Sequence, residues 1–205
     1  MKLFEAFLKS KILLLILLIL PAIMIVSAGL MGGFDANPVE FLQLETGEKT
    51  LWLLLIVLWI SPLKAVFPQL NLLKILIRHR RWIGVACFVY GVFHFAIYLL
   101  DSGSLEIMLE NFTRYFIISG SLAFLILFAL ALTSSNGMIK KLGGKKWKNL
   151  HRLIYIATFL VFLHMIAKEK SNIITTFLYF VPLVLAEAYR IYVFWRVRHR
   201  KLSTS

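Results

Sequence analysis

Long apolar runs broken by short charged stretches dominate the chain. Segments such as IYIATFLVFLHMIA (154–167) and YFIISGSLAFLILFALAL (115–132) approach the length of about 20 residues that a helix needs to cross a bilayer core at ~1.5 Å per residue. None shows the strict alternation of a membrane barrel. The pattern predicts six spanning helices, near Ile12–Leu30, Leu51–Val66, Trp82–Leu100, Tyr115–Thr133, Leu150–Ala167 and Ile173–Trp195. Pro62 marks a point where the second can kink or stop. The connections are too short to fold alone, so residues 1–205 are expected to form one domain, an all-α integral membrane bundle of six helices.

Composition agrees with that pattern. Of 205 residues, 60% are hydrophobic, and the mean hydropathy of +0.82 lies outside the range of soluble domains. The net charge of +13 would suit a nucleic-acid binder, but the charges are sorted by side. Of the 23 basic residues, only Lys49, Arg114, Lys168 and Lys170 fall on one side of a chain that crosses six times; that side also holds every carboxylate except Glu5 and Glu187. The acidic loops are expected at 31–50 and 101–114. The positive-inside rule then places both termini in the cytoplasm, and the basic face suits anionic headgroups of the lipid bilayer, not nucleic acid. Lys2, Lys9 and Lys11 precede the first apolar run and Ser27-Ala28-Gly29 follows it. That run exceeds the length of a secretory signal, so it is expected to stay as an anchor. Cys87 is the single cysteine, which rules out an internal disulfide and a C-x-x-C-H haem attachment.

Five histidines carry the chemistry. His79 and His199 lie in RHRR and RVRHRK, where solvated side chains are expected. His94, His151 and His164 lie in or at the edge of apolar spans, where an ionisable group is costly and marks a functional candidate. The third and fifth spans run in the same direction. His94 is thirteen residues past Arg81, ~20 Å along a helix, and His164 is sixteen past Lys148, ~24 Å. Two neutral imidazoles at matched depth in a bundle can supply both axial ligands of a haem iron. The spans offer no nearby cysteine or carboxylate to complete a small-ion site. On one straight helix His151 and His164 would point about 140° apart, so they serve two levels or one is not a ligand. An intramembrane histidine can also bond a neighbouring helix without any cofactor.

Three stretches resemble a known family: NPVEFLQLETGEKTLWLLLIVLWISPL (37–63), HRRWIGVACFVYGVFHFAIYLL (79–100) and LALTSSNGMIKKLGGKKWKNLHRLIYIATFLVFLH (130–164). They look like the MsrQ family of haem-binding membrane subunits, within the ferric-reductase-like transmembrane superfamily. The resemblance implies a cytochrome b of the bacterial inner membrane, itself non-catalytic, that takes electrons from the quinone pool or a cytoplasmic flavin reductase. It would pass them to a periplasmic molybdopterin methionine-sulfoxide reductase, MsrP-like, that repairs oxidised proteins. The family's histidines fall on His94, His151 and His164, and its paired arginines on Arg80 and Arg81, which would meet an anionic group such as a haem propionate, a flavin phosphate or a quinone headgroup. One haem b, held by His94 and His164, is implied; a second haem, with His151 as ligand, and FMN are further associations. Relatives often have a histidine before Phe-Thr-Gly in the first outer loop; Leu44-Glu45-Thr46-Gly47 stands here, altering the surface expected to meet the partner.

A self-contained reductase would also need nucleotide-binding units. No G-x-G-x-x-G occurs between a strand and a helix, so the reducing power is expected from a separate donor. The rival class is a transporter or proton relay without haem; against it, the spans supply the histidines with no acidic partner and show no inverted repeat of broken helices.

Overall fold

A computed structural model describes residues 10–31, 37–168 and 172–203. Lys2, Lys9, Asp35, Glu169 and Lys170, used above to assign sides, lie outside the described residues. The helices are α1 (Lys11–Leu30), α2 (Pro38–Val66), α3 (Asn71–Ser102), α4 (Leu105–Asn111), α5 (Tyr115–Leu132), α6 (Asn136–Leu142), α7 (Gly144–His151), α8 (Leu153–Ala167) and α9 (Ile173–Ser203). No strand occurs among the described residues. Six helical stretches are long and apolar enough to cross a membrane, with α7 and α8 together making the fifth.

Helix α2 begins thirteen residues earlier than hydropathy alone suggests. Asn37 caps it, its side chain accepting from Glu40 N at 3.2 Å, and Pro38 occupies the first turn, where no amide is needed. Lys49 bridges Glu45 at 2.8 Å across one turn. Most of the expected acidic loop at 31–50 is therefore helix. Pro62 does not end α2, which runs on to Val66. Helix α3 likewise starts at Asn71, eleven residues before Trp82, carrying the basic RHRR stretch on helix.

The expected single fifth helix is interrupted. Arg152 adopts φ −70° and ψ −18°, and its amide reaches Asn149 O at 3.2 Å, a tight three-residue turn that separates α7 from α8. The turn shifts the wheel angle of about 140° between His151 and His164, which holds for an unbroken helix, but the two histidines sit at different levels as expected.

Five spans close into a ring: α2 packs on α3, α3 on α5, α5 on α8, α8 on α9, and α9 back on α2. Leu54, Leu58, Cys87, Leu127, Ala157, Phe180 and Leu183 fill its centre. Helix α1 lies outside the ring against α2 and α3, pinned where the Tyr90 hydroxyl donates to Leu18 O at 2.9 Å. Antiparallel α2 and α3 meet through Gln43 and His94 at one end and Ser61 and Arg80 at the other. The α5 and α8 pair places Phe116 beside His164, with Thr133 beside His151 at the opposite end of the span. His94 and His164 thus share one level of the bundle, as their depths along the sequence predict.

Candidate functional site

Facing imidazoles. His94 on α3 and His164 on α8 meet across the ring interior with centroids 6.3 Å apart and planes at 88°. Each ring has one nitrogen already committed. His94 Nδ1 lies 2.9 Å from Gln43 O, and His164 Nδ1 lies 2.7 Å from Phe116 O. A carbonyl can only accept, so each Nδ1 carries the proton and each Nε2 keeps its lone pair. Such a backbone bond is how proteins fix the tautomer and orientation of a metal-binding histidine.

The arrangement fits an iron held from both sides. Two metal–imidazole bonds of about 2 Å each, with the half-widths of the two rings, span roughly the separation seen between the centroids. Two buried polar atoms at the same end, Gln43 Oε1 and Tyr98 Oη, have no hydrogen-bond partner among the described residues. Tyr98 stands one turn beyond His94 on α3, so its hydroxyl and the Gln43 amide are available to a polar substituent of a bound group. Among the described residues no three His, Cys, Asp or Glu side chains converge, so the donor set at this level is two imidazoles.

The remaining candidates lie elsewhere. His151, at the end of α7, has Nε2 3.3 Å from Thr133 Oγ1 and its ring 4.0 Å from the Trp147 ring. The structure does not bring it to His94 and His164. Arg80 and Arg81 diverge. The Arg80 guanidinium donates to Ser61 Oγ at 2.8 Å and stands within electrostatic reach of Tyr155, Glu187 and Arg190. Arg81 donates to Asn136 Oδ1 at 2.6 Å, bordering a small cavity of about 210 Å³ shared with Trp82, Val85, Ser134 and Ser135. His199 is exposed on α9, as expected. His79 is not: it is 8% exposed, with Nε2 lacking a hydrogen-bond partner among the described residues. The early start of α3 puts it on the face shared by buried Ile75 and Ile83, so the RHRR stretch is only partly a solvated one.

This fold defines a polytopic helical membrane protein with two imidazoles facing each other at one end of the bundle. Its relatives match. A family model for the ferric reductase like transmembrane component covers residues 46–162. The protein-methionine-sulfoxide reductase heme-binding subunit MsrQ of Ralstonia nicotianae is 38% identical over 152 residues, 73% of this chain and 68% of that protein. Its counterpart in Bordetella pertussis is 37% identical over 171 residues, 81% of each chain. The magnetosome protein MamZ of Magnetospirillum gryphiswaldense is 32% identical over 186 residues, 86% of this chain but 28% of MamZ. No solved structure matches. The chain belongs to the ferric-reductase-like transmembrane family, among the MsrQ proteins.

Sequence reasoning missed one polar cluster at the end of the bundle opposite the histidine pair. Glu187 and Arg190 on α9 form an ion pair at 2.8 Å, and Arg190 also donates to the Tyr155 hydroxyl on α8 at 3.0 Å. With Arg80 on α3 and Ser61 on α2, four helices meet there. The signal was available: Glu187 is a lone carboxylate in an apolar run, and an intramembrane charge needs partners. The pair is only partly buried, with the Arg190 side chain 31% and that of Glu187 13% exposed, so solvent screens it. Glu187→Ala is expected to lower stability in detergent by about 1 kcal/mol, read as a lower midpoint of thermal unfolding; an unchanged midpoint would show that the cluster does not hold α9 in place.

Proposed function

We propose that this chain is a haem b electron-transfer subunit of the bacterial inner membrane, with His94 and His164 as the axial ligands of the haem iron. The observation that carries the reading is the pairing itself: two intramembrane imidazoles face each other at 6.3 Å, each with Nδ1 bonded to a backbone carbonyl. When bound, haem supplies one-electron oxidation and reduction, which no side chain at this site offers. The protein's part is to fix both rings, exclude water and set the electronics by ligand identity and burial. The half-buried Phe88, Phe95 and Phe124 rings, with centroids 4.8 and 5.6 Å apart between α3 and α5, keep this seam apolar below the histidines.

Two membrane sides follow from charge. The end bearing Lys140, Lys141, Lys145, Lys146 and Lys148 is cytoplasmic, together with both termini, and the end bearing Glu40, Glu106 and Glu110 faces the periplasm. His94 and His164 then lie near the periplasmic side. That suits delivery to a periplasmic molybdopterin methionine-sulfoxide reductase, the kind of system named for the MsrQ relatives. Electrons enter from the cytoplasmic side, from the quinone pool or a flavin reductase. An apolar groove of about 450 Å³ beside Trp52, Trp59 and Tyr179 offers a lipid-soluble donor a resting place. Arg81 and its cavity suit an anionic group such as the phosphate of FMN. His151 serves this basic level, near Arg80, and not the level of the haem iron.

The purified protein is expected to be red, with a low-spin b-type spectrum that shifts on reduction. His94→Ala and His164→Ala should each abolish that spectrum, whereas His151→Ala should keep it with at most a small shift. A colourless protein from haem-replete cells would instead favour a haem-free transporter or proton relay. Orientation is tested separately: Glu106→Cys should react with an impermeant thiol reagent from the periplasm and Lys146→Cys only after the cytoplasmic face is opened; the reverse order would overturn the topology.

A further inference from the structure

The two histidines are held by the same local device, built twice in unrelated parts of the chain. On α2 the acceptor for His94 is Gln43 O, and four residues on stands Gly47. On α5 the acceptor for His164 is Phe116 O, and four residues on stands Gly120. In an α-helix the carbonyl of residue i meets the amide of residue i+4. Each imidazole therefore lies in a notch over a glycine and reaches the carbonyl already engaged by that glycine's own amide. A carbonyl oxygen has two lone pairs, so Gln43 O can take both donors, while Phe116 O shares its two between the imidazole, the amide and a longer contact from Ser119 Oγ at 3.1 Å.

The notch exists only because the side chain is missing. A Cβ at Gly120 would stand 2.6 Å from His164 Nδ1 and 3.0 Å from its Cε1; a Cβ at Gly47 would stand 3.0 Å from His94 Cε1 and 3.1 Å from its Nδ1. The first distance is closer than atoms tolerate, and the second is tight. The glycines also need a reason, since glycine inside a helix costs roughly 0.5–1 kcal/mol against alanine. Neither has a positive φ, so backbone geometry does not demand them. Gly84 on α3 provides a contrast, since a Cβ there would meet nothing within 4 Å.

A third element repeats. The residue before each glycine is a buried hydroxyl side chain bonded back to its own helix. Thr46 donates to Leu42 O at 2.7 Å, with Gln43 O at 3.4 Å, and Ser119 donates to Phe116 O at 3.1 Å. Back-bonding of this kind bends a helix and tilts the carbonyls outward, toward an extra donor. The repeated unit is thus an acceptor carbonyl at i, Ser or Thr at i+3 and Gly at i+4.

We infer that Gln43-Leu44-Glu45-Thr46-Gly47 and Phe116-Ile117-Ile118-Ser119-Gly120 are matched histidine seats whose glycines are positioning residues for the two iron ligands. They hold each ring close against a backbone and keep the proton on Nδ1, so that both Nε2 atoms are presented to the metal. The inference rests on the haem reading and adds to it which residues of α2 and α5 make the site. It also gives Thr46-Gly47 a role inside the bundle, where the sequence pointed to a partner-facing loop.

The test uses the full-length protein in detergent, freed of haem and titrated with hemin, comparing wild type with Gly120→Ala, Gly47→Ala and Gly84→Ala. Gly120→Ala is expected to weaken hemin binding about 10–100-fold and to convert the low-spin spectrum to a high-spin one. Gly47→Ala is expected to keep hemin but shift its reduction potential and ligand-field bands, and Gly84→Ala to match wild type. A second readout needs no variant to fold: histidine-selective ¹⁵N NMR of the haem-free wild type should show two rings protonated at Nδ1 and not at Nε2. Wild-type spectra in Gly120→Ala and Gly47→Ala, or Nε2-protonated rings, would overturn the seats while leaving the haem reading intact. A wild type that binds no hemin would remove both.

Discussion

The site depends on two hydrogen bonds from imidazole to backbone. Without the carbonyls of Gln43 and Phe116, His94 and His164 would be free to rotate, to exchange tautomers, or to satisfy each other as an ordinary intramembrane pair. Each bond removes one nitrogen from competition and leaves the other, Nε2, with its lone pair. In a low-dielectric interior a neutral ring with one satisfied nitrogen avoids the cost of burying a charge. The helices that provide the acceptors, α2 and α5, are not those that carry the histidines, so four helices of the five-membered ring hold the facing pair in place.

The opposite end of the bundle solves a different problem. Charges there are numerous, and those that turn inward are assembled into the cluster of Arg80, Tyr155, Glu187 and Arg190. Arg81, at the rim, donates instead to Asn136 Oδ1 and lies outside that cluster. The paired arginines suggested by family resemblance are therefore neighbours in sequence that face different surroundings, one bonded to Ser61 inside the cluster and one to Asn136 at the rim. The bundle is polarised: the facing His94 and His164 lie at the acidic end, and the cluster of Arg80, Tyr155, Glu187 and Arg190 lies at the basic end.

Much of this was legible in the sequence, for identifiable reasons. Span number followed from apolar length, and the matched depth of His94 and His164 followed from a fixed rise per residue counted from basic boundaries. What misled was treating charge as the end of a helix. Capped and ion-paired turns carry α2 through Glu40, Glu45 and Glu48, and a basic stretch carries α3 through Arg78, Arg80 and Arg81, which buries His79. The turn at Arg152 was not readable, because neither glycine nor proline marks it. The histidines' acceptors were invisible in principle, since every residue has a carbonyl. Their trace in sequence is indirect: a hydroxyl residue followed by a helical glycine, placed against each of the two rings.

The central claim is that two imidazoles of α3 and α8 grip one iron, and low-temperature electron paramagnetic resonance of the oxidised protein tests it most directly. Ring planes 88° apart predict a strongly anisotropic low-spin ferric signal, as expected for two near-perpendicular imidazoles. A purely high-spin signal, or no haem signal from protein prepared with ample haem, would contradict the account.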